Sequence, residues 1–75
     1  MTPELFHATH DEDSAAARKE VVERGLVERI RFRNIFYPEV EVDFRARGGT
    51  RLPALWDGAE LHQGVAAVRA ALDRI

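Results

Sequence analysis

Residues 38–47, PEVEVDFRAR, admit two readings, and the fold follows from the choice between them. Val40, Val42, Phe44 and Ala46 alternate with polar residues, the period-two pattern of a half-buried strand. The ends of the stretch argue for a helix. Pro38 suits a first helical turn, where its missing N–H costs nothing. Glu39 and Glu41 lie near the start and Arg45 and Arg47 near the end, the charge order that a helix macrodipole favours. Gly48-Gly49 follow as a stop signal. A helix is therefore expected over 38–47.

Upstream, residues 29–35 read as a strand in which Ile30 and Phe32 alternate with Arg29, Arg31 and Arg33. These arginines suit the solvated face of an edge strand, where charge discourages unwanted pairing; an anion-binding stripe is the competing reading. Before them, residues 4–9 read as a strand containing Leu5, Phe6 and Ala8. Residues 11–24 read as a helix. Asp11, Glu12 and Asp13 stand at its positive end, where unpaired N–H groups favour carboxylates. Ser14, Ala17 and Val21 share one face, with Val22 beside them, and Gly25 stops the run.

Downstream, residues 51–56 form an apolar strand with Leu52, Ala54, Leu55 and Trp56. Trp56 is read as core, with an indole N–H that needs a partner if buried. Asp57-Gly58 is a hairpin turn signal, and residues 60–62 return as a short strand. Val65, Val68, Leu72 and Ile75 then recur at spacings of three and four, an amphipathic helix. Ala66, Ala67, Ala70 and Ala71 let it pack closely. The order is β-α-β-α-β-β-α, an α/β class in which the helix over 38–47 carries the chain from an edge strand across to the hairpin.

Composition bounds the function. The 75 residues make one small domain, 1–75. There are no cysteines, so no disulfide, thiolate metal site or thiol redox chemistry is available, and a cytoplasmic location is expected. The first residues carry Glu4, His7 and His10 where a signal peptide would carry a long apolar run. No stretch is long enough to suggest a membrane span. A net charge of −2 argues against nucleic acid as partner.

The segment RLPALWDGAELHQGVAAV, residues 51–68, resembles the second half of the thioredoxin-like fold, as found in glutaredoxins and in the N-terminal domain of glutathione transferases. In that family a proline opens the third strand through a cis peptide bond, and Pro53 stands in the matching place. Transferases typically show Leu-x-Glu-Ser-x-Ala-Ile at the start of the last helix; here the positions are Leu61, Gln63, Gly64, Ala66 and Ala67. The resemblance implies a four-stranded mixed sheet with three helices. Its strand order would be second, first, third, fourth, with the first two strands parallel across a right-handed crossover.

The resemblance also places the candidate site. A glutaredoxin carries Cys-x-x-Cys at the start of its first helix; the matching residues are Asp11, Glu12, Asp13 and Ser14. A carboxylate at Asp11 keeps a negative charge at the helix start but cannot exchange a disulfide. What remains is binding. The backbone of the residue before the cis proline, Leu52, would pair with an extended peptide or with the cysteinyl part of glutathione. Gln63 and Gly64 would face the γ-glutamyl end, and Arg51 would meet a carboxylate. The expected function is a non-redox binding module with a protein or peptide partner, or glutathione. The enzymatic alternative is a glutathione-dependent, transferase-like activity in which the Ser14 hydroxyl orients a thiolate. His7, His10, Asp11 and Asp13 have the residue types of a metal site, but a capped helix with solvated histidines accounts for them without one.

Overall fold

The computed structural model of the protein describes residues 2–75. Four strands and three helices follow one another as β1 (Glu4–His7), α1 (Glu12–Glu23), β2 (Arg31–Asn34), α2 (Pro38–Ala46), β3 (Ala54–Trp56), β4 (Leu61–Gln63) and α3 (Val65–Leu72), with a 3-10 turn at Val27–Arg29. The sheet order is β2-β1-β3-β4. β1 and β2 are parallel, and β3 runs antiparallel to both β1 and β4. The order of elements roughly matches a thioredoxin-like layout.

The ambiguous stretch is a helix because its ends decide it. Pro38 occupies the first turn, and the chain leaves through Gly48, whose φ of 87° closes the last turn. The Gly48 N–H donates to Arg45 O (3.0 Å) and the Gly49 N–H to Phe44 O (2.8 Å), satisfying two carbonyls that a helix end leaves without partners. The apparent alternation splits accordingly. Val40 and Phe44, four residues apart, turn inward, while Val42 is 67% exposed.

Successive residues of β1 serve opposite faces of the sheet. Leu5 joins Ala17 and Val21 of α1, Leu55 of β3, and Val68 and Leu72 of α3 in one cluster. Phe6 joins Val40 and Phe44 of α2 and Ala54 of β3 in the other. All four residues of β1 are buried.

Several expected details differ. β1 ends at His7, because Ala8 turns its N–H to the Ser14 hydroxyl (3.1 Å). Val22 faces solvent, one step round the helix from the buried row Ser14, Ala17 and Val21. Residues 51–53 are a bend that precedes β3. The arginine stripe divides: Arg31 is exposed, whereas Arg33 is buried and Phe32 is partly exposed. The reason is a charge network beneath α2. Arg33 donates to the Glu4 carboxylate and, at 2.8 Å, to Asp43 Oδ2; Arg47 donates to the other Glu4 oxygen at 2.8 Å.

Burial by itself would raise the Glu4 pKa, but hydrogen bonds and charge from Arg47 and Arg33 outweigh it and hold the carboxyl below its ordinary value of 4.5. A lowered folded-state pKa contributes stability that is complete above the ordinary value and is lost as pH falls through the folded one. Urea unfolding between pH 7 and pH 2 is expected to show this loss below pH 4.5. Arg47→Ala removes one of the two cations, raises the folded-state pKa, and so makes the loss smaller and complete at higher pH. Glu4→Ala leaves Arg33 buried without one of its two carboxylate partners and is expected to cost about 3–5 kcal/mol at neutral pH.

Candidate functional site

One end of the sheet gathers the β1–α1 turn, the β2–α2 turn, the bend before β3 and the start of α3. Strand direction dictates this: β1 and β2 end there and β3 begins there. Continuing the β1–β3 register past Phe6 and Ala54 sets Pro53 opposite His7 and Leu52 opposite Ala8.

At the start of α1, Asp11 has the extended backbone of an N-cap, and its Oδ2 accepts the Ser14 N–H at 2.8 Å. Glu12 and Asp13 occupy the first turn. The Ser14 side chain is fully buried, and its hydroxyl oxygen accepts the Ala8 N–H. Arg18 reaches back to the same turn, donating to Ala8 O at 2.9 Å and to His7 Nδ1 at 3.0 Å. A guanidinium only donates, so Nδ1 is the acceptor and His7 carries its proton on Nε2. Burial first, and then the Arg18 charge, hold the His7 pKa below its ordinary value. His7, His10, Asp11 and Asp13 do not bring three ligand atoms together. Asp11 and His7 spend theirs on the helix cap and on Arg18.

The bend before β3 is held by Gln63. Its Oε1 accepts the N–H groups of Thr50 (2.9 Å) and Arg51 (2.8 Å), and its Nε2 donates to Gly48 O at 3.3 Å. The Gln63 amide is thus committed to the protein's own loop. The Leu52–Pro53 peptide bond is cis. Pro53 is buried, and its carbonyl accepts the Gly64 N–H at 2.8 Å. Among the described residues, no hydrogen bond engages the N–H or C=O of Leu52. The Leu52 side chain packs against the Phe6–Phe44 cluster, so the residue is anchored while its backbone stays free.

Gly64 caps α3 without a side chain, at φ 92°. A Cβ there would come within 3.1 Å of the Arg51 guanidinium carbon. Arg51 itself is exposed. Among the described residues, the first N–H groups of α3, on Val65, Ala66 and Ala67, have no side-chain acceptor. A guanidinium and an uncapped helix start therefore adjoin the free backbone of Leu52. Both favour an anion.

Beside this region an apolar groove of about 320 Å³ runs between the Ala8–Asp11 turn and Ile35–Phe36. Asn34 braces it, donating to Thr9 Oγ1 (3.0 Å) and accepting the Phe36 N–H (2.9 Å). Phe36 is 81% exposed and stacks edge-on with Tyr37. Neither Asn34 nor Phe36 stands out by sequence reasoning. The available signal was two adjacent aromatics in a loop ahead of Pro38.

No model of a known protein family matches the chain, and a search of curated proteins finds no match either. Among the described residues, no helix is long and apolar enough to cross a membrane.

Two substitutions test this description. Asp11→Ala is expected to cost about 1 kcal/mol, the usual value of an N-cap carboxylate, with Asp11→Asn closer to wild type in thermal unfolding. Gln63→Ala frees the Thr50 and Arg51 amides, whose hydrogen exchange should accelerate at least about tenfold, corresponding to about 1.4 kcal/mol of lost local protection. Unchanged exchange at those amides would show that the bend is held by something else.

Proposed function

We propose that this chain is a non-redox binding module of the thioredoxin-like superfamily that takes an extended, anionic peptide segment along Leu52. The observation that carries the reading is the free backbone of Leu52 beside the Arg51 guanidinium and the uncapped start of α3. An extended ligand pairs its own N–H and C=O with those of Leu52, the strand-addition mode of peptide recognition. Its carboxylate meets Arg51 and the N–H groups of Val65 and Ala66. Glutathione is a small ligand of this chemistry. The clamped bend lowers the entropic cost of binding, because Gln63 and Pro53 already hold the chain in place. Asp11 contributes by fixing α1; its carboxylate is engaged by the Ser14 N–H. The absence of cysteine excludes thiol–disulfide exchange. The buried Ser14 hydroxyl weighs against a transferase-like reaction that uses it.

A titration with glutathione, and in parallel with short peptides that have a free C-terminus, tests the reading through backbone amide signals. Saturable shifts are expected at Arg51, Leu52, Val65 and Ala66, and Arg51→Ala should weaken binding by about tenfold, equivalent to about 1.4 kcal/mol. Peptide amides without a terminal carboxylate should bind more weakly by a similar factor. Shifts with peptides but none at millimolar glutathione would narrow the ligand to longer chains. No saturable shift with either would overturn the proposal.

A further inference from the structure

The opposite end of the sheet carries a second constellation. The β3–β4 hairpin turns at Asp57–Glu60, where the Asp57 N–H donates to Glu60 O at 3.1 Å. Asp57 Oδ1 accepts the N–H groups of Ala59 and Glu60, each at 2.8 Å. That leaves Oδ2 to face His62 Nε2 at 2.7 Å. His62 lies on β4, and its side chain is only 14% exposed, so the ring is held while its nitrogen points at the turn. Glu60 is exposed and extends from the same turn. One ligand atom from each of Asp57, Glu60 and His62 lies within 4.8 Å of the others.

We propose that Asp57, Glu60 and His62 form a binding site for a divalent transition cation of the zinc type. Two donors on one such ion, each about 2.0–2.2 Å from it, stand at most about 4.4 Å apart. Closing the set around one tetrahedral ion requires the exposed Glu60 side chain to move inward and the 2.7 Å His62–Asp57 pair to open to about 3.4 Å. The imidazole nitrogen favours zinc or a neighbouring transition metal over magnesium and calcium, which prefer oxygen. The ion binds His62 through Nε2 with the ring's single proton on Nδ1, and any proton held between Nε2 and Asp57 Oδ2 is released to solvent. Two backbone N–H groups orient the Asp57 carboxylate from behind, the outer-shell support that metal-binding carboxylates use.

Two carboxylates and a neutral ring supply a local charge that attracts a cation. Arg29 and Arg74 oppose it from the walls of an adjoining cleft of about 680 Å³ that Asp57 also lines. Both arginines are exposed, and solvent screens them. With three protein ligands, a fourth position remains for water or a small anion from that cleft. This site lies at the Asp57 end of β3, and the proposed peptide site lies at its Pro53 end. Either one can fail without the other.

The test is a titration of the tag-free chain with Zn²⁺, read through the ring signals of its three histidines. One equivalent should saturate the His62 shifts and leave His7 and His10 unmoved. Glu60→Gln should weaken binding by about three- to tenfold and His62→Gln by at least about thirtyfold. The exposed Glu60 position makes its variant safe for folding; retained amide spectra elsewhere verify that the His62 variant folds. Mg²⁺ over the same range should produce no saturable shift, and an equal response would overturn the choice of metal. His62 signals that stay fixed up to millimolar Zn²⁺, binding centred on His7 or His10, or full affinity in both variants would each overturn the site.

Discussion

The Glu4 carboxylate, at the first position of the inner strand β1, has almost no access to water, and Arg33 and Arg47 make that tolerable. A lone carboxylate taken out of water would either protonate or leave the core. Bracketed by two guanidinia, it stays ionised and becomes a junction. Through it β1 is tied to the edge strand β2 and to the C-terminal end of α2. Asp43 adds a second anion for Arg33. The two guanidinium carbons also lie 5.5 and 5.6 Å from the centre of the Phe6 ring, and Arg47 lies 4.8 Å from that of Trp56. Polar and apolar contacts are thus layered on one face. α2 contributes only Val40 and Phe44 to its buried cluster, so the ion network is a large part of what sets its place on the sheet. The Trp56 indole N–H, buried beside it, has no acceptor among the described residues.

The other face is held differently. α1 and α3 pack against β1 and β3 through a continuous apolar cluster. α1 closes where Leu26 donates its N–H to Val21 O at 3.0 Å and both side chains enter that cluster. This face presents β3 and β4 as a fixed hairpin. Its two ends are chemically unlike. At the Pro53 end, the Leu52 backbone groups are left without partners among the described residues, Gln63 is committed to structure and Arg51 stays exposed. At the Asp57 end, the backbone is satisfied by the turn and the side chains converge.

Much of this was legible where the interaction is local. Asp11 as a cap depends on residues three apart, and the stop after α2 depends on two consecutive glycines. The Asp57-Gly58 turn and the Val68–Leu72 face of α3 follow from short-range rules of the same kind. Gln63 was legible as a residue of interest but not in its role, because its partners Thr50 and Gly48 lie 13 and 15 positions away. Ser14 was placed correctly at the helix start. Its burial came from the return of the Ala8 backbone, which no pattern within the helix discloses.

Arg33 and His62 mark the boundary most plainly. Period and charge identified Arg33 as one of three arginines on an edge strand, and nothing within that strand separates it from Arg31. The distinction arises because Glu4, 29 positions away, and Asp43 on α2 both bond Arg33 and neither bonds Arg31. His62 shows the same effect over a shorter span: the hairpin folds Asp57 back onto it. The order of elements, their caps and the exclusion of thiol chemistry belong to the sequence by itself, since each depends on neighbouring residues or on composition. Which charges are buried, which backbone groups stay free and which side chains meet were decided by tertiary structure. Those outcomes depend on distances between residues remote in the chain, which exist only once the sheet and helices have packed.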